Sequence, residues 1–422
     1  MSVPGGLMGV QDRLLPPAIP FRFFGTASLF LTFAWGLLFL SGGELIDYAG
    51  GPGFVLAAIH SLTLGVLTMT AMGASLQLLP VATRQAFGNL YLCRMLWALH
   101  SVATVFLGIG MAIADVNLMA LGGGLAFLSL CLFGWLLSGN LRQGSGMTVV
   151  ILHCWSAFAG LIILTILGIA LASNPTTGWI EDVATAAAIH FLIASFGFMG
   201  LFAAGFSYIL IPMFVLSSAP KNKPALASLT TYGLGLGGAI GGLHFEMPVL
   251  LWFGGVTGLF GIAAHLRLML LALKSGMRKK LDPPFILIRF AWLLWPIGII
   301  WGLFTYAGGF GGESAWVIFG FLVLAWLLSF LLGILLRILP FLASMHASRP
   351  GQPPPLLSAL APKNIQTTIV YSQIGAVLLI LVGLGVASEP VLRIATALGV
   401  FSGLAMVSYF ITVVYRVWFE KS

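Results

Sequence analysis

The chain has 422 residues, 59% of them hydrophobic and only 7% charged, with a mean hydropathy of +1.07. A water-soluble domain carries roughly 25% charged residues, so the composition excludes a soluble globular protein and implies the lipid bilayer as the partner. The net charge of +8 comes without a basic patch interleaved with aromatics, so nucleic acid is not implied.

Crossing a bilayer takes about 20 apolar residues, and lipid forces such stretches to be helices because backbone groups must be satisfied internally. A polar leader holds Asp12 and Arg13. The first span, 20–41, is too long for a signal-peptide core and lacks a small-residue cleavage site, so it reads as retained. Eleven more follow: 54–79, 92–113, 117–138, 147–172, 183–213, 226–243, 247–272, 286–309, 314–341, 366–387 and 390–416. Gly233, Gly237 and Gly241 on the seventh form an i, i+4 ladder that predicts close helix packing. No connection is long enough for a soluble domain. The longest, 343–365, carries Pro350, Pro353, Pro354 and Pro355 and reads as an extended loop. Residues 1–422 therefore form a single polytopic domain.

The spans recur in threes. The second runs from His60 through Gly73 and Gln77 to Pro80, and the sixth from His190 through Gly205 and Tyr208 to Pro212. The tenth runs from Gly320 through Gly333 and Arg337 to Pro340. The steps from Pro80 to Pro212 and from Pro212 to Pro340 are nearly equal. That period predicts three pseudo-repeats of four helices, at about 20–138, 147–272 and 286–416.

With a cytoplasmic N-terminus, 18 of the 19 basic residues fall on the inner side, among them Arg13, Arg84, Arg142, the Arg278-Lys279-Lys280 run, Arg349 and Lys421; Arg393 is the exception. The outer side takes eight of the 11 acids, including Glu44, Asp182, Glu246 and Glu313. Positive residues favour the cytoplasm, which predicts a multi-pass inner-membrane protein with both termini inside.

No Asp or Glu falls in the middle of a span, which argues against a proton-coupled carrier. Cys93, Cys131 and Cys154 form no C-x-x-C and read as packing residues. Histidines are the remaining intramembrane chemistry. His60 and His190 stand about two turns below the outer surface, and His244 lies at the outer end of the seventh span beside Glu246 and Met247. These three are the candidate metal ligands, since a neutral imidazole is a common metal ligand. His100, His153 and His265 read as histidines bonded to a neighbouring helix. His346 reads as solvated in a loop, and Arg337 as a snorkelling anchor.

Twelve spans in three four-helix units, with His60-Ser-Leu-Thr-Leu-Gly leading to Gln77-Leu-Leu-Pro80 and His190 on the sixth helix, resemble subunit I of the haem–copper oxidases. A looser similarity is to the haem- and copper-binding NnrS proteins. The resemblance implies that His60 is a haem ligand and that His190 and His244 are copper ligands, in an electron-transport protein with a respiratory or redox membrane partner. It also exposes departures. The tenth helix has Gly320 where His60 stands in the second, and His190-Phe-Leu-Ile lacks the Pro-Glu-Val-Tyr continuation of the family's sixth helix. The expectation is therefore an oxidase-like protein binding haem, copper or no cofactor, without a complete oxygen-reducing centre or terminal oxidase activity. The alternatives are a small-solute or metal permease and a cofactor-free structural subunit of a respiratory complex.

Overall fold

The computed structural model describes residues 15–309, 313–347 and 354–418, with the side chain of Glu313 excepted. The leader with Asp12 and Arg13, and Pro350, Pro353, Arg349 and Lys421, lie outside the described residues. The described chain is helical throughout. The long helices are α1 (Ala18–Ser41), α2 (Phe54–Thr83), α3 (Leu90–Ala112), α4 (Val116–Arg142), α5 (Thr148–Thr177) and α6 (Val183–Val215). They continue as α7 (Asn222–His244), α8 (Pro248–Ser275), α9 (Pro284–Tyr306), α10 (Glu313–Ala347), α11 (Lys363–Gly385) and α12 (Glu389–Trp418).

Eleven of these are long and apolar enough to cross a membrane among the described residues. The stretch expected as the seventh span is also a helix, α7, but its glycines dilute its hydropathy and it is not among the eleven. The expected extended loop is shorter than its sequence suggested, because α10 continues to Ala347 and Leu357–Leu360 forms a helical turn.

Consecutive helices pack antiparallel in a closed circuit, with α12 returning to α1. The most enclosed are α2, α6 and α10, and α10 touches both of the others. Glycine permits the closest approaches. A Cβ at Gly73, Gly205 or Gly333 would come within 2.7 Å of Phe23 on α1, 2.6 Å of His153 on α5 and 2.6 Å of Ile288 on α9 respectively. Each of these glycines stands two helical turns before the proline of its helix, and each receives the helix just before it.

The α7–α8 pair is close, but of the expected ladder only Gly241 meets α8, where a Cβ would come within 3.0 Å of Leu250. Gly233 and Gly237 face open space. Gly235, Gly238 and Gly242, on another face of α7, meet the backbone of Gly258, Gly254 and Leu251. A run of glycines reads alike on every face of a helix, so the sequence did not distinguish the packed face from the open one.

Three hairpin turns have one geometry. Ala114, Glu246 and Ala387 adopt φ of 56°, 52° and 51°, a left-handed conformation that costs a non-glycine residue roughly 1–2 kcal/mol. Each turn closes on a glycine carbonyl: Asp115 N–H to Gly110 at 2.8 Å, Met247 N–H to Gly242 at 2.9 Å and Ser388 N–H to Gly383 at 2.8 Å. The step from Ala114 to Glu246 equals the step from Pro80 to Pro212. The left-handed helix ends at Arg84 and Leu216 share it too.

Candidate functional site

Two of the enclosed helices contain a feature that no residue pattern announced. Residues Ser61–Thr68 of α2 and Ile193–Gly200 of α6 are π-helical. Such wide turns are rare and gather at functional sites. The step between the two segments is again that from Pro80 to Pro212. Each segment has a glycine at its fifth position, Gly65 or Gly197, and Gly65 is pressed against Phe30 of α1.

A wide turn splays its carbonyls away from the helix axis, and a neighbouring side chain meets one of them in each segment. His100 Nε2 lies 3.2 Å from the Leu64 carbonyl. A carbonyl only accepts, so Nε2 carries the proton, and Nδ1 lies 2.9 Å from the Ser129 hydroxyl, which also reaches the Ala126 carbonyl at 2.8 Å. In α6, the Tyr232 hydroxyl donates to the Phe196 carbonyl at 3.0 Å. The proline step carries Leu64 onto Phe196, and it carries His100 onto Tyr232.

His60 and His190 flank these segments. His60 donates from Nδ1 to the Leu56 carbonyl at 3.1 Å, which leaves Nε2 as the nitrogen with a lone pair. The His190 ring rests against Gly168 of α5, and its buried Nδ1 has no hydrogen-bond partner. The two histidines do not occupy equivalent positions, however. Counted back from the proline of its own helix, His190 stands two positions further than His60, and two residues rotate a helix position by about 200°. His244 is exposed at the end of α7, its ring 4.7 Å from that of Phe245. Among the described residues, no three His, Cys, Asp or Glu side chains gather as a metal-binding group.

The other histidines have partners of their own. His265 of α8 accepts from the Tyr208 hydroxyl at 3.1 Å and donates to Ser207 at 3.2 Å, tying α8 to α6. With His100 it behaves as the sequence led one to expect. His153 instead bonds its own helix, at the Val149 carbonyl, and its ring lies 5.3 Å from that of Tyr208. His346 is not solvated in a loop: it ends α10, half-buried, with Nε2 3.4 Å from Gln77 Nε2. Arg337 is no surface anchor either. Its guanidinium is buried, paired with Asp282 and set over the rings of Phe214 and Phe285.

A cavity of 830 Å³ lies between α1, α2, α6 to α11 and the turn at Tyr48, Ala49 and Gly50. It extends along α10 from Trp316 to Leu328, about 18 Å at 1.5 Å per residue. Its walls are aliphatic and aromatic, with the hydroxyls of Tyr48, Tyr232 and Tyr306, the indole N–H groups of Trp35 and Trp316 and the amide of Gln373 as the polar side-chain groups; the buried Trp35 Nε1 has no hydrogen-bond partner. Behind its floor, Trp326 stacks on Phe196 at 5.8 Å and on Trp295 at 4.1 Å. Gly320 lines it, with nothing within 4 Å of where a Cβ would stand. His60, His190 and His244 do not line it.

Two polar groups outside the spans titrate away from their ordinary values. Asp182 caps α6 by accepting from the Thr185 N–H at 3.0 Å, and its hydrogen bonds to Thr185 hold its carboxyl below the usual range. Burial pushes the Tyr48 hydroxyl up to about 12.

Compared with known proteins, the chain matches no family model and no curated sequence.

Proposed function

We propose that this chain is a twelve-span membrane protein of three four-helix units, similar in plan to haem–copper oxidase subunit I, that binds a small apolar molecule in its central cavity. The twelfth span on this reading is α7. It is as long as α3, and both of its ends are displaced from those of α3 by the step from Pro80 to Pro212, between equivalent turns. The observation that carries the function is the cavity: 830 Å³ of apolar space, within the roughly 300–1,000 Å³ of small-molecule sites.

Haem does not fit there. None of the described residues lining the cavity offers an imidazole, thiolate or thioether, and Gly320 stands where an α10 histidine would be needed. Oxygen reduction is therefore not part of the proposal. Native mass spectrometry of the detergent-extracted protein is the test. We expect a small-molecule adduct in the wild type and its loss in Gly320→Phe, which fills the cavity. A wild type with no adduct, unchanged by the substitution, would overturn the reading.

A second reading is favoured by the orphaned Nδ1 of His190 and the free lone pair of His60. Two imidazoles suit a copper ion. Metal analysis of the purified protein should then find copper that both His60→Ala and His190→Ala remove and His244→Ala does not. Copper content unaffected by the first two variants would end this reading.

A further inference from the structure

At two of the three central helices, α2 and α6, a polar side chain from the helix that follows is committed to a π-helical carbonyl: His100 of α3 to Leu64, and Tyr232 of α7 to Phe196. The third copy is different. The step from Glu246 to Ala387, which carries the α7–α8 turn onto the α11–α12 turn, also carries Tyr232 onto Gln373. The α10 residue matching Phe196 by the proline spacing is Leu324, and α10 is α-helical there. With no splayed carbonyl to meet, the Gln373 amide is fully buried, and neither its Oε1 nor its Nε2 has a hydrogen-bond partner. Gln373 and Leu324 both line the cavity.

A buried amide left without partners is costly, and native proteins seldom keep one without a use. A carboxamide offers a donor and an acceptor side by side. Among the described residues no charged side chain lines the cavity, so a charged head would find no counter-ion. The orphaned Trp35 indole only donates, whereas the Gln373 amide does both. We propose that Gln373 is a polar recognition residue of the cavity, and that its ligand is an uncharged, lipid-soluble molecule whose head both donates and accepts a hydrogen bond, as a hydroxyl does. This rests on the reading that the cavity binds a small apolar molecule. The apolar body lies along Gly320, where the absence of a side chain leaves open space.

The test uses the full chain in proteoliposomes and two photoreactive probes, a diazirine-bearing long-chain alcohol and the matching diazirine alkane, with cross-linked peptides mapped by mass spectrometry. In the wild type the alcohol should label the cavity stretch of α10 about tenfold more than the alkane, one hydrogen bond's worth of preference. Gln373→Leu should bring the alcohol down to the alkane's level and leave alkane labelling unchanged. Gln373→Met repeats the test should the leucine variant not fold, and Gly320→Phe should remove both labels. Equal labelling by both probes, or an alcohol preference that survives the loss of the amide, would overturn the role of Gln373 while leaving the cavity reading in place. No labelling of the cavity by either probe would instead sink the cavity reading itself.

Discussion

The register position shared by His100, Tyr232 and Gln373 makes a prediction in which the same kind of change has opposite signs. Tyr232→Phe removes one hydroxyl and keeps the ring, which packs 5.9 Å from Trp295. The loss is the bond to the Phe196 carbonyl, 3.0 Å long and buried. A net intramolecular hydrogen bond stabilises by about 0.5–1.5 kcal/mol, and side-chain bonds inside membrane proteins average about 0.6 kcal/mol, with a maximum near 1.7. The expected destabilisation is therefore about 1 kcal/mol. His100→Leu loses two bonds, to Leu64 and Ser129, and should cost about 2 kcal/mol. Gln373→Leu breaks no bond and removes two buried orphan atoms, each of which penalises the fold by about 1–3 kcal/mol where nothing pairs it. In protein stripped of bound small molecules, it should raise stability by about 1 kcal/mol or more. Reversible unfolding of the three variants in mixed detergent micelles, followed by circular dichroism, measures all three signs. Destabilisation by Gln373→Leu in stripped protein equal to that of Tyr232→Phe would refute the reasoning, because it would mean that Gln373 is satisfied within the protein.

Three further outcomes are expected. Asp282→Asn should cost about 3 kcal/mol, because it leaves the buried Arg337 charge facing two phenyl rings. Arg337→Met should cost less, since Asp282 is 37% exposed and keeps Arg278 at 3.4 Å; thermal unfolding showing the reverse order would contradict this. On α7, Gly235→Leu should destabilise by about 1–3 kcal/mol, since its Cβ would sit 2.4 Å from the Gly258 nitrogen. Gly233→Ala, with open space, should be neutral or gain up to about 1 kcal/mol of helix propensity, and equal losses at both sites would show that the packed face is misassigned. Finally, Tyr48 is held neutral by burial up to about pH 12, against an ordinary value near 10. Its contribution to stability is then fully present below about pH 10 and is lost as pH rises from there toward 12. The wild-type minus Tyr48→Phe phenolate absorbance should report the raised midpoint, and a midpoint near 10 would contradict it.

The membrane character and the positions of the helices were legible because hydropathy is a local sum along each span. The prolines and Gly73, Gly205 and Gly333 were legible as a period because each is chemically distinctive at a fixed spacing. The partners of the histidines were not, because Ser129, Leu64 and Tyr208 reach them across helix interfaces that the sequence does not specify. The π-helical segments were not legible either: Ser-Leu-Thr-Leu-Gly-Val-Leu-Thr and Ile-Ala-Ser-Phe-Gly-Phe-Met-Gly share little beyond one glycine. The glycines of α7 marked a close contact correctly but not its face. Arg337 suggested a snorkelling anchor because its partner, Asp282, is distant in sequence and lies in a loop.

On the proposed three-unit plan, His60 and His190 mark where the first two units differ, since they are two positions out of register and neither borders the cavity. What the units share is a buried polar side chain at a fixed height, aimed at the central helix of the same unit. In the first two, a wide turn presents a carbonyl and the polar group is consumed by the fold. In the third the turn is α-helical, the wall recedes at Gly320, and the equivalent amide faces apolar space with its full hydrogen-bonding capacity unspent. If one unit was copied three times, structural use of that position in two copies leaves the third free to recognise something else. Binding specificity then belongs to the copy that departs from the pattern, and a chimaera with Gln373→Tyr should tie or fill that position and weaken capture of the alcohol probe without disturbing α2 or α6.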